Sequence, residues 1–265
     1  MGTQAAWFED RIAAAVAPLL PGFAVEAVAE IDSTNTELMR RARAGRAEPV
    51  LLVAERQTAG RGRLGRPWQS AQQGEQQNAA SLTFSLGLSL APRDWSGLSL
   101  AVGVSVVDSL HADLQLKWPN DVWLHGRKLA GILIETASVG DQRVAVVGIG
   151  INIAPRAGDG LSTAPAWLQE VLPGVDAGQA LLRIAAPLVQ ALKAFEIGGF
   201  APFQAQFDQR DLLRDRAVNL SNGTVGMARG VDAQGGLLLQ TPDGLQTVTS
   251  AEVSVRPAAT STPAV

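Results

Sequence analysis

The sequence contains no cysteine, and this absence excludes several kinds of chemistry. A chain without cysteine forms no disulfides, has no thiolate nucleophile and binds no metal through sulfur. The lack of cysteine also fits a reducing compartment, so we expect a cytoplasmic protein. The two histidines, His111 and His125, fall near a predicted helix end and in a predicted turn. We therefore interpret both histidines as surface residues rather than catalytic bases.

Strong net charge and long apolar segments are also missing. The formal net charge is −3 at pH 7, so the average field of the molecule does not favour nucleic acid or an anionic membrane. No stretch approaches the ~20 uninterrupted apolar residues of a membrane-spanning helix. Glu9 and Asp10 precede the apolar run 12–20 where a secretory signal would carry positive charge, which favours an amphipathic helix. Neither DNA nor a membrane is an expected partner.

The hydrophobic pattern predicts an α+β fold. The chain has 265 residues, 46% of them hydrophobic, which suffices for one large domain and a small one. Thr34 and Glu37 have the spacing of a capping box and predict a helix that ends at Gly45. Apolar periodicity predicts the other elements: strands at 50–54 (buried on both faces), 81–90 (half-buried), 121–124, 128–136 and 143–154, and helices at 98–110 and 181–195.

The composition changes after residue 212. Short β-like runs follow, separated by turn sequences at 232–236 and 242–244, and this pattern is typical of a small β-barrel module. The final segment, AATSTPAV, has the composition of a disordered tail. We therefore predict a large domain at 1–212, a small β domain at 213–257 and a tail at 258–265.

Residues 60–68, GRGRLGRPW, contain the G-x-G-x-x-G pattern of dinucleotide-binding loops. In such a loop a helix begins at the third glycine and an acidic residue follows ~20 positions later, whereas here Pro67, Trp68 and a polar stretch follow. A phosphate-binding Walker loop is also excluded, because no Gly-Lys-Ser/Thr ends the run. Three arginines alternate with the glycines, namely Arg61, Arg63 and Arg66. Because guanidinium groups bind carboxylate or phosphate oxygens, the loop is predicted to clamp an anion.

Five motifs occur in a fixed order: DSTN (32–35), GRGRLGRPW (60–68), KWPNDV (117–122), KLAGILIE (128–135) and GIGIN (148–152). Together they resemble the motif set of the biotin protein ligases, or biotin–[acetyl-CoA-carboxylase] ligases, over roughly residues 30 to 255. That family makes biotinoyl-5′-adenylate from biotin, ATP and magnesium, then transfers the biotinoyl group to one lysine of a carrier protein.

The resemblance implies a particular fold and particular partners. The expected fold is a mixed β-sheet with helices packed on it, of the class II synthetase-like or biotin–lipoate ligase type, followed by a small SH3-like β-barrel. The expected partner is the biotin carboxyl carrier protein of acetyl-CoA carboxylase, and a homodimer is compatible with the family. Because 31 residues precede Asp32, too few for a three-helix DNA-binding module, we expect a form without the N-terminal DNA-binding domain.

The resemblance also assigns roles to residues in the motifs. Joining a carboxylate to ATP brings two anions together, so the site needs positive charge more than a nucleophile. The implied catalytic residues are Lys128, Arg63 and Lys117. The implied biotin-binding residues are Ser33, Thr34, Asn35, Gln57, Gly60, Arg61, Gly62, Arg63, Lys128 and Gly131. The implied ATP and adenylate contacts are Arg66, Trp68, Lys117, Asn120 and Asn152, with magnesium held through the phosphates.

Some features are open to other interpretations. Gly148 and Gly150 predict a close approach of ligand or of a facing chain to a strand, and Trp118 is expected in the core. The polar segment 69–80 and Ala251 depart from the family pattern. A lipoate or octanoyl ligase of the same fold remains an alternative, although its glycine-rich motif lacks the alternating arginines. A non-catalytic biotin sensor is another, although both lysines are present.

Overall fold

The structure is a computed structural model, and it describes residues 7–68, 80–155, 165–249 and 255–257. The polar segment 69–79, Ala251 and the predicted tail lie outside the described residues. The helices are α1 (Glu9–Val16), α2 (Thr34–Arg43), α3 (Leu98–Leu110), α4 (Ala177–Gly198) and α5 (Gln204–Arg210). The strands are β1 (Ala24–Ile31), β2 (Val50–Gln57), β3 (Ser81–Ser89), β4 (Gln115–Lys117), β5 (Asp121–Leu124), β6 (Arg127–Val139), β7 (Gln142–Asn152), β8 (Ala217–Leu220), β9 (Val225–Val231), β10 (Leu237–Thr241), β11 (Gly244–Val248) and β12 (Val255–Pro257).

The larger sheet has seven strands in the order β1-β2-β3-β7-β6-β5-β4. Strands β1 and β2 are parallel, and the remaining neighbours are antiparallel, so the sheet is mixed, as predicted. Apolar side chains of β3 and β7 pack with those of α3 and α4 in one continuous core. Helix α2 packs on the sheet through a smaller cluster that contains Leu38 and Met39. The predicted fold class is confirmed.

Strand β3 differs from its prediction as a half-buried strand. It is buried on both faces along residues 81–88. The face that carries Thr83 and Ser85 contacts the start of α2 and forms part of the polar cleft described below. Alternation of apolar and polar residues shows that the two faces differ, and it does not show what covers the polar one.

The N-cap of α2 is Ser33, one residue before the predicted position. The Ser33 hydroxyl accepts a hydrogen bond from the Thr36 amide at 3.4 Å, and Thr34 is already helical. Glu37 contacts arginines instead of closing a capping box, since Arg41 Nε donates to its carboxylate at 2.8 Å. That hydrogen bond is the main cause that lowers the pKa of Glu37.

Several elements were missed or misplaced by the sequence patterns. Strand β1, AVEAVAEI, does not alternate strictly between apolar and polar residues and lies at an edge of the sheet, so its periodic signal is weak. Helix α1 begins at Glu9 and ends at Val16 rather than spanning 12–20. Helix α4 begins at Ala177, where Asp176 and Gln179 form a capping box, and not at residue 181 as predicted. Helix α5 was not predicted.

The smaller sheet is antiparallel and has five strands in the order β11-β10-β9-β8-β12. Its predicted turn at 232–236 joins β9 to β10, and Asp232 Oδ1 accepts hydrogen bonds there from the Gln234 and Gly236 amides. The indole of Trp118, buried as expected, donates to Gly235 O at 3.0 Å. This contact places the smaller sheet beside the KWPND segment. Domain boundaries at 212 and 257 stay a prediction.

Within the described residues, no helix is both long and apolar enough to cross a membrane.

Candidate active site

Most of the predicted site residues line one cleft on the larger sheet. The cleft lies between the start of α2, the loop 60–68 and the turn from β4 to β5, over strands β3, β6 and β7. The cleft is open to solvent, and its space with the open mouth included is about 1120 Å³. The predicted residues that line it are Ser33, Thr34, Asn35, Gln57, Arg61, Gly62, Arg63, Arg66, Trp68, Lys117, Asn120, Lys128 and Gly131. Gly60 and Asn152 do not.

One wall of the cleft is a chain of hydrogen bonds between neutral side chains. Gln57 Oε1 accepts from the Thr34 amide at 2.8 Å, and Ser85 Oγ lies 2.7 Å from both Thr34 Oγ1 and Asn35 Oδ1. Each hydroxyl has one proton, so the consistent assignment has Thr34 donating to Ser85 and Ser85 donating to Asn35. The four residues of this polar wall, Gln57, Thr34, Ser85 and Asn35, are thereby fixed in orientation before any ligand arrives.

The loop 60–68 is a tight hairpin that we name the arginine hairpin. Its base is closed by a hydrogen bond from Trp68 N to Gly60 O at 2.8 Å, and the Gly62 amide donates to Arg66 O at 2.7 Å. A Cβ atom at residue 60 would lie 2.4 Å from Trp68 O, so Gly60 is needed for this closure. No helix begins at Gly65, and the chain leaves the tip extended at Arg66. The structure therefore agrees with the sequence analysis, which excluded a dinucleotide-binding loop here.

The three arginines of the hairpin have different surroundings. Arg63 is half-buried, and its Nη1 lies 3.3 Å from Asn120 Oδ1. Burial is the main cause that lowers the pKa of Arg63, partly opposed by nearby Asp121. Arg61 is more exposed and contacts Glu135 and Thr36. Arg66 is exposed at the mouth of the cleft.

The two predicted lysines enter the cleft from strands β4 and β6, which lie on either side of β5. Lys128 Nζ lies 2.7 Å from Asp121 Oδ1, and Lys117 Nζ lies 4.7 Å from the centre of the Trp123 ring. Asn120 is held by its Nδ2, which donates to Ile132 O at 2.8 Å. The cationic residues of the lining are Arg61, Arg63, Arg66, Lys117 and Lys128, against one carboxylate, Asp121, among the described residues. A chain of net negative charge thus concentrates positive charge at this cleft.

Glycines form the floor of the cleft in β6 and β7. A Cβ atom at Gly148 would lie 2.1 Å from Asn35 Oδ1, and one at Gly150 would lie 2.3 Å from the Trp68 ring. A Cβ atom at Gly131 would lie 3.3 Å from Lys128 Nζ and 3.6 Å from the Trp68 ring. The close approach that these glycines predicted is therefore real, and here the approaching groups are side chains of the same chain.

Asn152 occupies a different position from the cleft residues. It is buried at the end of β7, and its Nδ2 donates to Ala166 O at 3.0 Å. Sequence reasoning also missed residues that do line the cleft: Thr83, Ser85, Asp121 and Val255. The polar face of β3 and the aspartate of KWPND were visible signals for the first three, whereas Val255 reaches the cleft only because the smaller sheet packs there.

Comparisons with known proteins agree with this geometry. Residues 27–152 match the sequence model of the Biotin/lipoate A/B protein ligase family, and residues 217–256 match that of the Biotin protein ligase C terminal domain. The chain is 37% identical to the bifunctional ligase/repressor BirA of Escherichia coli over 251 residues, which cover 90% of this chain and 76% of the relative. It is 35% identical to the biotin–[acetyl-CoA-carboxylase] ligase of Mycobacterium tuberculosis over 81% of this chain and 82% of that protein.

A solved structure extends the likeness to the fold. The biotin protein ligase from Aquifex aeolicus in complex with biotin and ATP superposes with a TM-score of 0.72 at 29% identity, covering 88% of this chain and 99% of that one. The fold and the cleft define a ligase of the biotin and lipoate class. The chain belongs to the biotin protein ligase family.

Proposed function

We propose that this protein activates biotin with ATP to biotinoyl-5′-AMP and transfers the biotinoyl group to a lysine of a biotin carrier protein. The observation that carries the proposal is the meeting of Arg63, Lys117 and Lys128 in one cleft beside a preformed polar wall. The relatives named as biotin–[acetyl-CoA-carboxylase] ligases support the reaction and the carrier.

The chemistry requires positive charge at two stages. A carboxylate oxygen of biotin bonds to the α-phosphorus of ATP, and the bond from that phosphorus to the bridging oxygen breaks, releasing pyrophosphate. The carrier lysine amine, in its neutral form, then bonds to the acyl carbon, AMP leaves with the bonding electrons, and the amine gives up a proton. In both steps negative charge builds on phosphate or acyl oxygens, which Lys128, Arg63 and Lys117 are placed to stabilise.

The other predicted site residues divide into two groups in this proposal. Ser33 and the wall residues Thr34, Asn35 and Gln57 offer donors and acceptors to the ureido ring of biotin, with the backbone at Gly60, Gly62 and Gly131 allowing close approach. Arg66, Trp68, Asn120 and Asn152 are assigned to the adenylate, with Trp68 suited to stacking on the base.

Magnesium fits a site that is built mainly by substrate phosphates. Mg²⁺ usually keeps several waters and binds one or two carboxylates together with phosphate oxygens. Among the described residues no group of three or more potential metal ligands is present, and Asp121 is the carboxylate of the cleft. Magnesium would neutralise phosphate charge there, and this chain's cations would hold the remaining oxygens.

Three further properties belong to the proposal. The carrier is the biotin carboxyl carrier protein of acetyl-CoA carboxylase, the location is the cytoplasm, and a homodimer is compatible with the family. The absence of cysteine fits the reducing environment of the cytoplasm.

Two alternatives remain distinguishable. A lipoate or octanoyl ligase would share the family model matched by residues 27–152, yet the alternating arginines of the hairpin favour biotin. A non-catalytic biotin sensor would keep the polar wall without needing cations for catalysis, whereas Lys117 and Lys128 both line the cleft.

The test is incubation with biotin, MgATP and a biotin carrier domain, followed by intact-mass measurement of the carrier. We expect the mass gain of one biotinoyl group, absent when ATP is omitted and absent on a carrier whose acceptor lysine is changed to arginine. Preferential gain of lipoyl or octanoyl mass from the corresponding acids would contradict the substrate. Biotin binding without transfer would favour the sensor.

A further inference from the structure

Glu135, near the middle of β6, contacts two of the segments assigned to biotin. Its Oε2 accepts a hydrogen bond from Arg61 Nη2 at 2.5 Å and another from Asn35 Nδ2 at 3.0 Å. Arg61 belongs to the arginine hairpin, and Asn35 belongs to the polar wall. One carboxylate oxygen therefore joins two parts of the chain that are far apart in sequence.

Glu135 itself stands behind the cleft. Within the described residues, the set that lines the cleft includes Arg61, Asn35 and Leu133 but not Glu135. The Glu135 side chain is 24% exposed and that of Arg61 is 43% exposed. A carboxylate in this position is suited to orienting its neighbours rather than to contacting a substrate.

Arg61 connects the arginine hairpin to two other elements. Besides the bond to Glu135 in β6, its Nε donates to Thr36 Oγ1 at 3.0 Å in the first turn of α2. Arg61 is also the first residue after the base of the hairpin, where it forms a β-bridge with Pro67. A guanidinium fixed through two nitrogens in this way restricts the side chain at that base.

We propose that Glu135 is a positioning residue, which anchors the arginine hairpin over the cleft through Arg61 and aligns Asn35 with it. The inference rests on the proposed function, because it gives the anchored hairpin the task of retaining the adenylate. Both Arg61 and Arg63 line the cleft. Arg61 then acts mainly through Glu135 and Thr36, whereas Arg63 lies beside Asn120.

A double-mutant cycle tests whether Glu135 and Arg61 have these positioning roles. Glu135→Gln keeps the shape and an acceptor for Asn35 but removes the charge that Arg61 contacts, and Arg61→Met removes the guanidinium. We expect each change to raise the rate of adenylate dissociation, measured by stopped-flow fluorescence, and the KM for biotin by about fivefold. For Glu135→Gln we expect kcat at saturating biotin to stay within about twofold, since Glu135 does not line the cleft and the catalytic cations are unchanged.

The double variant decides whether Arg61 acts through Glu135. Residues that work as one unit give non-additive effects, so the double variant should match either single variant. Additive effects would mean that Arg61 contacts the ligand independently of Glu135, and this result would overturn the proposal.

A matched control distinguishes the loss of the Glu135–Arg61 contact from the loss of an ion pair elsewhere in the sheet. Glu30→Gln breaks a comparable pair with Arg56 between β1 and β2, and it should leave dissociation and KM at wild-type values while thermal unfolding shows all variants folded. An equal change in Glu30→Gln would contradict the proposal. If the wild type labels no carrier, the proposed function is wrong. If the wild type labels the carrier but Glu135→Gln changes neither adenylate dissociation nor the KM for biotin, only the positioning role of Glu135 is wrong.

Discussion

At the scale of single residues, Lys128 combines a partner with access to the cleft. Its ammonium lies 2.7 Å from Asp121, and its side chain is 41% exposed. The structure places Lys128 in the cleft lining beside Gly131 rather than on a fully solvated turn. Its charge is therefore accessible to a ligand in the cleft.

We expect Lys128→Ala to lower the rate of adenylate formation by ~10²-fold or more, comparable to the loss of an oxyanion donor. The physical reason is that the ammonium stabilises charge that builds only in the transition state. Single-turnover formation of biotinoyl-5′-AMP, followed by quenched flow, measures the effect. Lys193→Ala removes an exposed lysine of α4 and serves as the control. Unchanged adenylate formation in Lys128→Ala would return Lys128 to a surface role.

At the scale of elements, the arginine hairpin is the part of the site best suited to retaining an intermediate. Biotinoyl-adenylate is a mixed anhydride that water destroys, so it has to be shielded until the carrier lysine arrives. The tip of the hairpin is a short 3₁₀ turn in which Leu64 and Gly65 have positive φ. Arg63 begins this turn and reaches Asn120 across the cleft.

We expect Arg63→Gly to spare part of adenylate synthesis while increasing adenylate release, because the half-buried guanidinium no longer pairs with phosphate and carboxylate oxygens. Free adenylate should then label lysines of a bystander protein. Stopped-flow dissociation and mass spectrometry of the bystander measure the two effects.

The control for Arg63→Gly is Leu64→Gly, which adds a glycine to the same turn and keeps the arginine. Leu64 is 58% exposed, so its removal tests backbone freedom with little loss of packing. Equal dissociation rates for the wild type and Arg63→Gly, with no bystander labelling, would show that the hairpin does not retain the adenylate through Arg63.

At the scale of the whole molecule, residues 211–216 connect the two sheets. The Leu212 amide donates to Leu116 O in β4, and the Asp215 amide donates to Ala228 O in β9, both at 2.8 Å. Asp211 begins this connection, and burial raises its pKa to about 6, with Asp208 adding to the effect and Arg214 opposing it. The folded state thus holds a proton on Asp211 at pH values where the unfolded chain has lost it.

The stability consequence of Asp211 has a definite sign. Between about pH 4 and pH 6 the folded state binds more protons than the unfolded state, so this group lowers the free energy of unfolding as pH rises. The full penalty, about 3 kcal/mol in order of magnitude, is present well above pH 6. Asp211→Asn should therefore be more stable than the wild type at pH 7.5, with the difference vanishing near pH 4.

Urea unfolding at several pH values measures this difference. Asn keeps an oxygen to accept from the Leu213 amide, which donates to Asp211 Oδ1 at 2.8 Å. Asp243→Asn, in an exposed turn of the smaller sheet, controls for the loss of a carboxylate elsewhere. A difference between Asp211→Asn and the wild type that is the same at pH 4 and pH 7.5 would contradict the assignment to Asp211.

The sequence by itself determined the fold class, the family resemblance and most of the residue types in the cleft. Buried strands such as β2 have a strong local pattern, and the residues that follow Gly65 exclude a dinucleotide-binding loop. These conclusions are available because periodicity and motif spacing are properties of short segments.

The tertiary structure alone decided what faces the polar side of β3, that Trp68 lies over Gly150, and that Glu135 contacts Arg61. The first of these was mistaken for a solvent face, since alternation has the same period whether water or a cleft covers the polar residues. The contact between Arg61 and Glu135 joins residues 74 positions apart in sequence. Such pairings depend on how the strands order in the sheet, and strand order is set by packing of the whole chain rather than by any local pattern.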